Sequence, residues 1–218
     1  MGRGVGVDGR VGPGTEPSES IATTLDRKPH VPPHRPHPTP GPDRLLDGSP
    51  PWTPERLLVH LEALGISART HRHPAVFTVE QAQALKGELP GAHTKNLFLR
   101  DKKGTMWIVT ALYDRAVDLR RLAGALGARG RLSFGSEARL MHYLGVRPGS
   151  VTPLAVVNDV GRKVQVVLDR GLQRYDLWNA HPLDNRMTTT LSQPDLLRFL
   201  EASAHPPLWA DLVEDAPR

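Results

Sequence analysis

No cysteine occurs among the 218 residues, so a disulfide framework, a thiolate zinc site and a cysteine nucleophile are all excluded. Any chemistry must use other groups. No run of about 18 apolar residues is present, and the start, MGRGVGVDGR, lacks the apolar stretch of a signal peptide. The expectation is a soluble, cytoplasmic protein with no membrane partner. No G-x-S-x-G places a serine on a constrained turn. Neither G-x-G-x-x-G nor G-x-x-x-x-G-K-[ST] falls at a strand-to-helix junction in the region that reads as folded. Serine hydrolases and nucleotide-binding folds therefore lose support. Internal repeats are absent as well.

Residues 1–50 have no aromatic residue and few aliphatics, yet they hold ten of the 21 prolines and eight of the 20 glycines. Such a stretch cannot bury enough surface to offset chain entropy. It reads as a disordered Pro/Gly-rich tail, followed by one folded domain over residues 51–218. The tail carries six Lys and Arg against six acids, so the formal net charge of +5 lies wholly on the folded part. A basic excess favours a polyanionic partner.

After Pro51 the patterning changes. TPERLLVHLEALG (53–65) has a Thr N-cap, Pro54 at the first helical position, apolar residues at helical spacing and a closing glycine, which predicts a helix. A short strand is expected at 68–73. A helix follows over TVEQAQAL (78–85), where Thr78 and Gln81 have capping-box spacing. LFLRD, the turn at Lys103 and Gly104, and MWIVTAL (106–112) read as a β-hairpin. Helices with glycine stops are expected at 118–127 and 136–145, and VTPLAVVN (151–158) and VQVVLD (164–169) suggest strands. A last helix over 192–202 opens with Ser192 and Asp195 at capping-box spacing. Alternation without a strict βαβ rhythm predicts an α/β domain with a mixed sheet and helices packed outside it.

Several residue groups carry chemistry. KNLFL (95–99) sets the cation of Lys95 and the amide of Asn96 at the mouth of an apolar run, placed to hold an anion or a carbonyl; a solvated strand end would read the same way. GSVTP (149–153) has a glycine and a closing proline that can fix a tight path and leave backbone N–H groups facing a ligand, or serve as a plain connector. HPLDNRMTTTLS (181–192) offers His181, Asn185 and three threonine hydroxyls, which equally suit a turn leading into a β-prone segment. His30, His34 and His37 lie in a proline-rich run without fixed geometry. His71, His73 and His93 match no standard ligand spacing. No metal is expected.

Four strings in unbroken order, HPAVFTVEQAQAL (73–85), GAHTKNLFLRDKKG (91–104), GVRPGSVTPLAVVND (145–159) and HPLDNRMTTTLSQPDLLRFL (181–200), resemble the YbaK-like aminoacyl-tRNA deacylases. The likeness is greatest to the free-standing prolyl-tRNA editing proteins that clear alanine from proline tRNA, and it covers about residues 53–209. It implies a single YbaK-like domain and an ester hydrolase acting on mischarged tRNA(Pro), with prolyl-tRNA synthetase as a further partner and no cofactor. By this resemblance Lys95 anchors the phosphate of the terminal adenosine and Asn96 sits at the aminoacyl group. The loop from Gly149 to Pro153 holds the ester and its attacking water, and His181 lines the amino-acid pocket. Thr78 and Asn185 would contact substrate, and Phe77, Leu97 and Ala180 would line a tight apolar pocket. The substrate's own ribose 2′-hydroxyl would help orient the water. Two alternatives remain: a deacylase for cysteine, serine or threonine on tRNA, and a non-catalytic module of the same fold that binds tRNA or a synthetase. Lys102, Lys103, Arg120 and Arg121 are candidate tRNA contacts, or a solvated face.

Overall fold

The computed structural model describes residues 43–74 and 89–212. In chain order they form α1 (Pro54–Ala63), β1 (Ala68–Arg72), β2 (Ala92–Arg100), β3 (Met106–Leu112), α2 (Leu119–Ala125), β4 (Ser133–Phe134) and α3 (Glu137–Leu144). These are followed by a 3-10 helix (Pro153–Asn158), β5 (Val164–Asp169), a second 3-10 helix (Arg170–Arg174), β6 (Leu177–Ala180), β7 (Met187–Ser192), α4 (Gln193–Ala202) and β8 (Leu208–Ala210). Most of the expected tail and the expected helix at 78–85 lie outside the described residues.

The helices start where the sequence supplies acceptors for their first free N–H groups. Thr53 Oγ1 accepts from the Arg56 N–H, Asp118 from Arg120 and Arg121, Ser136 from Arg139, and Ser192 from Asp195. Each such cap is worth about 0.5–2 kcal/mol. The strands make one mixed sheet in the order β1-β7-β6-β2-β3-β5-β8, with β4 added to the end of β2. Central β2 pairs antiparallel with β3 along most of its length. On its other edge it pairs parallel with β6 through Ala92↔Trp178 and His93↔Asn179, then with β4 through Leu99↔Phe134 and Arg100↔Ser133.

Alternation along β2 sends even and odd residues to opposite faces. Ala92 and Phe98 face a large cluster with Ile108, Val166, Trp178, Ala180 and Leu191, covered by Leu57 and Leu61 of α1, Leu140 and Leu144 of α3, Leu154 to Val156 of the first 3-10 helix, and Leu196, Phe199 and Leu200 of α4. Leu97 and Leu99 face a smaller cluster with Trp107, Val109, Ala111 and Val167 beneath Leu122 of α2. Over the β6-β7-β1 half of that second face the sheet presents His93, Asn179, Thr190, Thr188 and His71, all in register on one side.

Two expectations are corrected. Residues 151–158 are not a strand: Thr152 caps a 3-10 helix that starts at Pro153, and Pro153 to Val156 are buried with Val157 partly so. A continuous apolar run fits a strand or a buried helical turn equally well. Residues 43–50, given to the tail by composition, pack on the domain. Leu45 is buried, Leu46 N–H donates to the His142 carbonyl at 2.8 Å, and Asp43 pairs with Arg147.

Candidate active site

The chain reverses between β6 and β7 through residues 181–186, and this turn is where the candidate residues gather. Leu183 at its centre has φ +67, a left-handed conformation that costs a bulky residue about 1–3 kcal/mol. Its side chain is buried in the large cluster, which offsets the strain and fixes the turn. The His181 ring donates Nδ1–H to the Met187 carbonyl at 2.9 Å, because a carbonyl oxygen can only accept. In the neutral ring this leaves Nε2 as a lone-pair acceptor. Burial holds the His181 pKa below the ordinary histidine value, with the neighbouring His73 acting in the same direction against the Met187 bond and Asp184. The ring is therefore a neutral acceptor at neutral pH.

His73 stands next to it at the end of β1. Its N–H donates to the Arg186 carbonyl at 2.9 Å. Its Nδ1–H donates to the Pro74 carbonyl, so its Nε2 accepts from the Thr188 hydroxyl at 2.9 Å. Asp184 is held below the ordinary carboxylate value by side-chain bonds from Arg186.

The glycine loop meets the same turn from the other side. Ser150 N–H donates to the Arg147 carbonyl at 3.0 Å across Pro148 and Gly149, and Gly149 has φ +89. Proline at the second position and a positive-φ glycine at the third define a type II turn, so this conformation needs glycine. Asn185 N–H donates to Ser150 Oγ at 3.1 Å, and a methyl on Gly149 would stand 3.3 Å from the Asn185 amide nitrogen. The N–H groups of Gly149 and Val151 donate to no residue among those described. Pro153 is buried as the first residue of the 3-10 helix, where it fixes the exit of the loop rather than lining a pocket.

Lys95 follows the last β2–β6 pair, His93↔Asn179, by two residues along β2, as His181 follows it by two residues beyond Asn179. The Lys95 ammonium is half-buried and donates to the Arg115 carbonyl. Arg115 is itself held by a 3.0 Å ion pair from its Nε to Asp169, which is buried. Gly171 makes room for that guanidinium, since a Cβ there would lie 1.9 Å from Arg115 Nη2.

Asn96, adjacent on a strand, points to the opposite face, where its side-chain oxygen accepts from the Thr110 hydroxyl at 2.7 Å. Leu97 and Ala180 also lie on opposite faces, in separate clusters, and the structure does not bring them together. Phe77 and Thr78 lie outside the described residues. Thr188 was among the threonine hydroxyls the sequence offered and His73 was weighed only as a metal ligand, whereas Ser150, Arg115 and Asp169 were not singled out; the Arg115 to Asp169 pair spans 54 positions and leaves no local signal. Among the described residues no group of three or more His, Asp or Glu side chains is placed to hold a metal ion.

The sequence profile of the aminoacyl-tRNA editing domain matches residues 73–199. The chain belongs to the aminoacyl-tRNA editing domain family. It is 41% identical over 150 residues to prolyl-tRNA synthetase associated domain-containing protein 1 of Danio rerio, covering 68% of this chain and 81% of that one. It is 36% identical over 152 residues to the prolyl-tRNA editing protein ProX of Acetoanaerobium sticklandii, covering 69% and 92%. A solved structure described as a candidate trans-editing enzyme for prolyl tRNA synthetase superposes with a TM-score of 0.59 at 20% identity, over 81% of this chain and all of that one. That likeness shows the fold. The resemblance carried by the four ordered strings, and the mixed α/β editing-domain fold it implied, are borne out. No helix among the described residues is long and apolar enough to cross a membrane.

Proposed function

We propose that this editing domain hydrolyses the aminoacyl ester of mischarged tRNA(Pro) in trans, with alanyl-tRNA(Pro) as its substrate. One observation supports the reading: Lys95 and the neutral His181 ring each follow the last β2–β6 pair, His93↔Asn179, by two residues, and Asn185 ties the turn after His181 to the Gly149 loop. An aminoacyl ester is already activated, so its hydrolysis needs a positioned water, donors for the tetrahedral oxyanion and a fixed leaving group. Lys95 supplies a cation for the terminal phosphate of the RNA. The N–H groups of Gly149 and Val151 supply oxyanion donors, and His181 Nε2 accepts a hydrogen bond from the water or from the substrate ammonium. This assignment uses no metal and no cofactor.

A synthetase pocket built for proline cannot strongly reject alanine, because each methylene is worth only about 1–3 kcal/mol. A second site that admits only the smaller residue removes the error. The names of the relatives, one for prolyl-tRNA editing and one for association with prolyl-tRNA synthetase, support the choice of tRNA and of the synthetase as partner. The test is hydrolysis of alanyl- and prolyl-tRNA(Pro) beside cysteinyl, seryl and threonyl esters on the same tRNA. Alanyl ester should be cleaved at least tenfold faster than prolyl. Equal rates would defeat the sieve, and preference for another small residue would reassign the substrate. A protein that cleaves none of them but captures prolyl-tRNA synthetase would be the non-catalytic module to which the name of the Danio rerio relative gives weight.

A further inference from the structure

Residues 100–131 hold eight Lys and Arg against three Asp, a net of five positive charges, as many as the whole chain carries. Two of the three acids are engaged by backbone N–H groups. Asp101 is buried and accepts from the backbone N–H groups of Lys103, Thr105 and Arg129, and Asp118 caps α2. Arg115 is spent on Asp169. Lys102, Lys103, Arg120, Arg121, Arg129 and Arg131 are all exposed, and none forms an ion pair among the described residues.

The fold concentrates these cations. Asp101 ties the β2-β3 turn to the loop after α2, where the Lys102 N–H also donates to the Arg129 carbonyl at 3.2 Å. Arg120 and Arg131 border one hollow of about 530 Å³. Next to them Phe134 is 64% exposed on β4, in register with Leu99. Gathering like charges costs self-repulsion that an anionic partner relieves, and an exposed aromatic ring among such cations is the arrangement on which nucleic-acid bases stack.

We infer that this face holds the acceptor arm of the tRNA, its phosphates on the Lys and Arg groups and an unstacked base on Phe134. The inference rests on the tRNA reading given above. The geometry fits one continuous strand. Lys95 and Leu99, which pairs with Phe134, lie on one face of β2 about 13 Å apart at some 3.3 Å per residue, which a strand at about 3.4 Å per nucleotide covers with about four nucleotides. A 3′ end anchored at Lys95 therefore brings the start of the acceptor helix over the basic face.

The experiment is binding of uncharged tRNA(Pro) transcript, by fluorescence anisotropy, across a salt series. The full chain is compared with K102Q/R120Q/R131Q, with F134A, and with R162Q/K163Q/R174Q, which removes the same charge from exposed residues elsewhere. The first variant should bind at least tenfold more weakly, with a slope of log K against log salt shallower by about 2–3, at roughly 0.7–0.9 per phosphate contact. F134A should bind about fivefold more weakly or worse. The third variant should match the wild-type slope and affinity. Equal weakening in the first and third variants, or an unchanged slope in the first, would overturn the assignment. Hydrolysis of alanyl-tRNA(Pro) by the wild-type chain is scored separately, so failure of this surface and failure of the catalytic reading give different results.

Discussion

In the proposed reading Lys95 is the phosphate anchor, and its contact in the fold is to the Arg115 carbonyl, just beyond β3, rather than to packed side chains. A charge-assisted bond to a phosphate is worth about 1.5–3 kcal/mol, so Lys95→Ala should lower the single-turnover deacylation rate at subsaturating enzyme by about 10- to 150-fold. The thermal midpoint should stay within a few degrees of wild type. Wild-type turnover in that variant would remove Lys95 from the site. His181 makes a different prediction. Its folded pKa lies below its unfolded value, so the stability of the neutral ring is complete above about pH 6.5 and is lost as pH falls through the lower folded value. The pH profile of kcat/KM should be flat above neutrality and fall along an acid limb centred below about 6.5. A limb centred at or above that value would contradict the buried neutral ring. Asn96 shows how an adjacent residue can be misread: Lys95 and Asn96 are neighbours in the chain, yet a strand sends neighbours to opposite faces, and Asn96 meets Thr110 instead.

Among the elements, the second 3-10 helix positions Lys95 without touching it. Gly171 lets the Arg115 guanidinium reach Asp169, and Arg115 presents its carbonyl to the Lys95 ammonium. Gly171→Ala should displace that guanidinium and leave a buried carboxylate unpaired, costing about 3 kcal/mol, and should slow deacylation through Lys95. Urea unfolding of the variant checks the first effect, and an unchanged midpoint would show that the guanidinium relocates freely. The helices capped by Thr53, Asp118, Ser136 and Ser192 were legible because caps are local, with donor and acceptor at most three residues apart. The run 151–158 was not. It lacks alternation because Pro153 to Val156 are all buried, and only Thr152 and Pro153 mark it as a helical start.

Over the whole molecule, charge decides the response to acid. Burial raises the Asp101 pKa, but bonds from the Arg129, Thr105 and Lys103 N–H groups outweigh it. Asp118 is lowered by the Arg121 and Arg120 N–H groups, and Asp184 by the Arg186 side chain. Each folded value lies below its unfolded one, so the stability they give is full above about pH 4 and is lost as pH falls through the folded values. The urea midpoint should therefore drop steeply below about pH 4, and Asp101→Asn should flatten that limb. A midpoint unchanged down to pH 3 would contradict it. Asp101 and Asp118, bound to backbone N–H groups rather than to lysine or arginine side chains, leave the basic face between residues 100 and 131 unneutralised.

The sequence by itself determined the absence of thiol chemistry, the N-caps of the four described α-helices, the β2-β3 hairpin and the family, because those signals lie in short contiguous strings. Tertiary structure decided which of the candidate residues meet. The relation of Lys95 to His181 depends on the parallel pairing of β2 with β6, whose partners lie 86 positions apart in the chain, the hold on Lys95 depends on a buried pair from two other strand ends, and the split between Leu97 and Ala180 depends on which face each strand turns to a helix layer. Contacts between distant segments are fixed by how apolar faces stack, and one local string carries no record of the face against which another will pack.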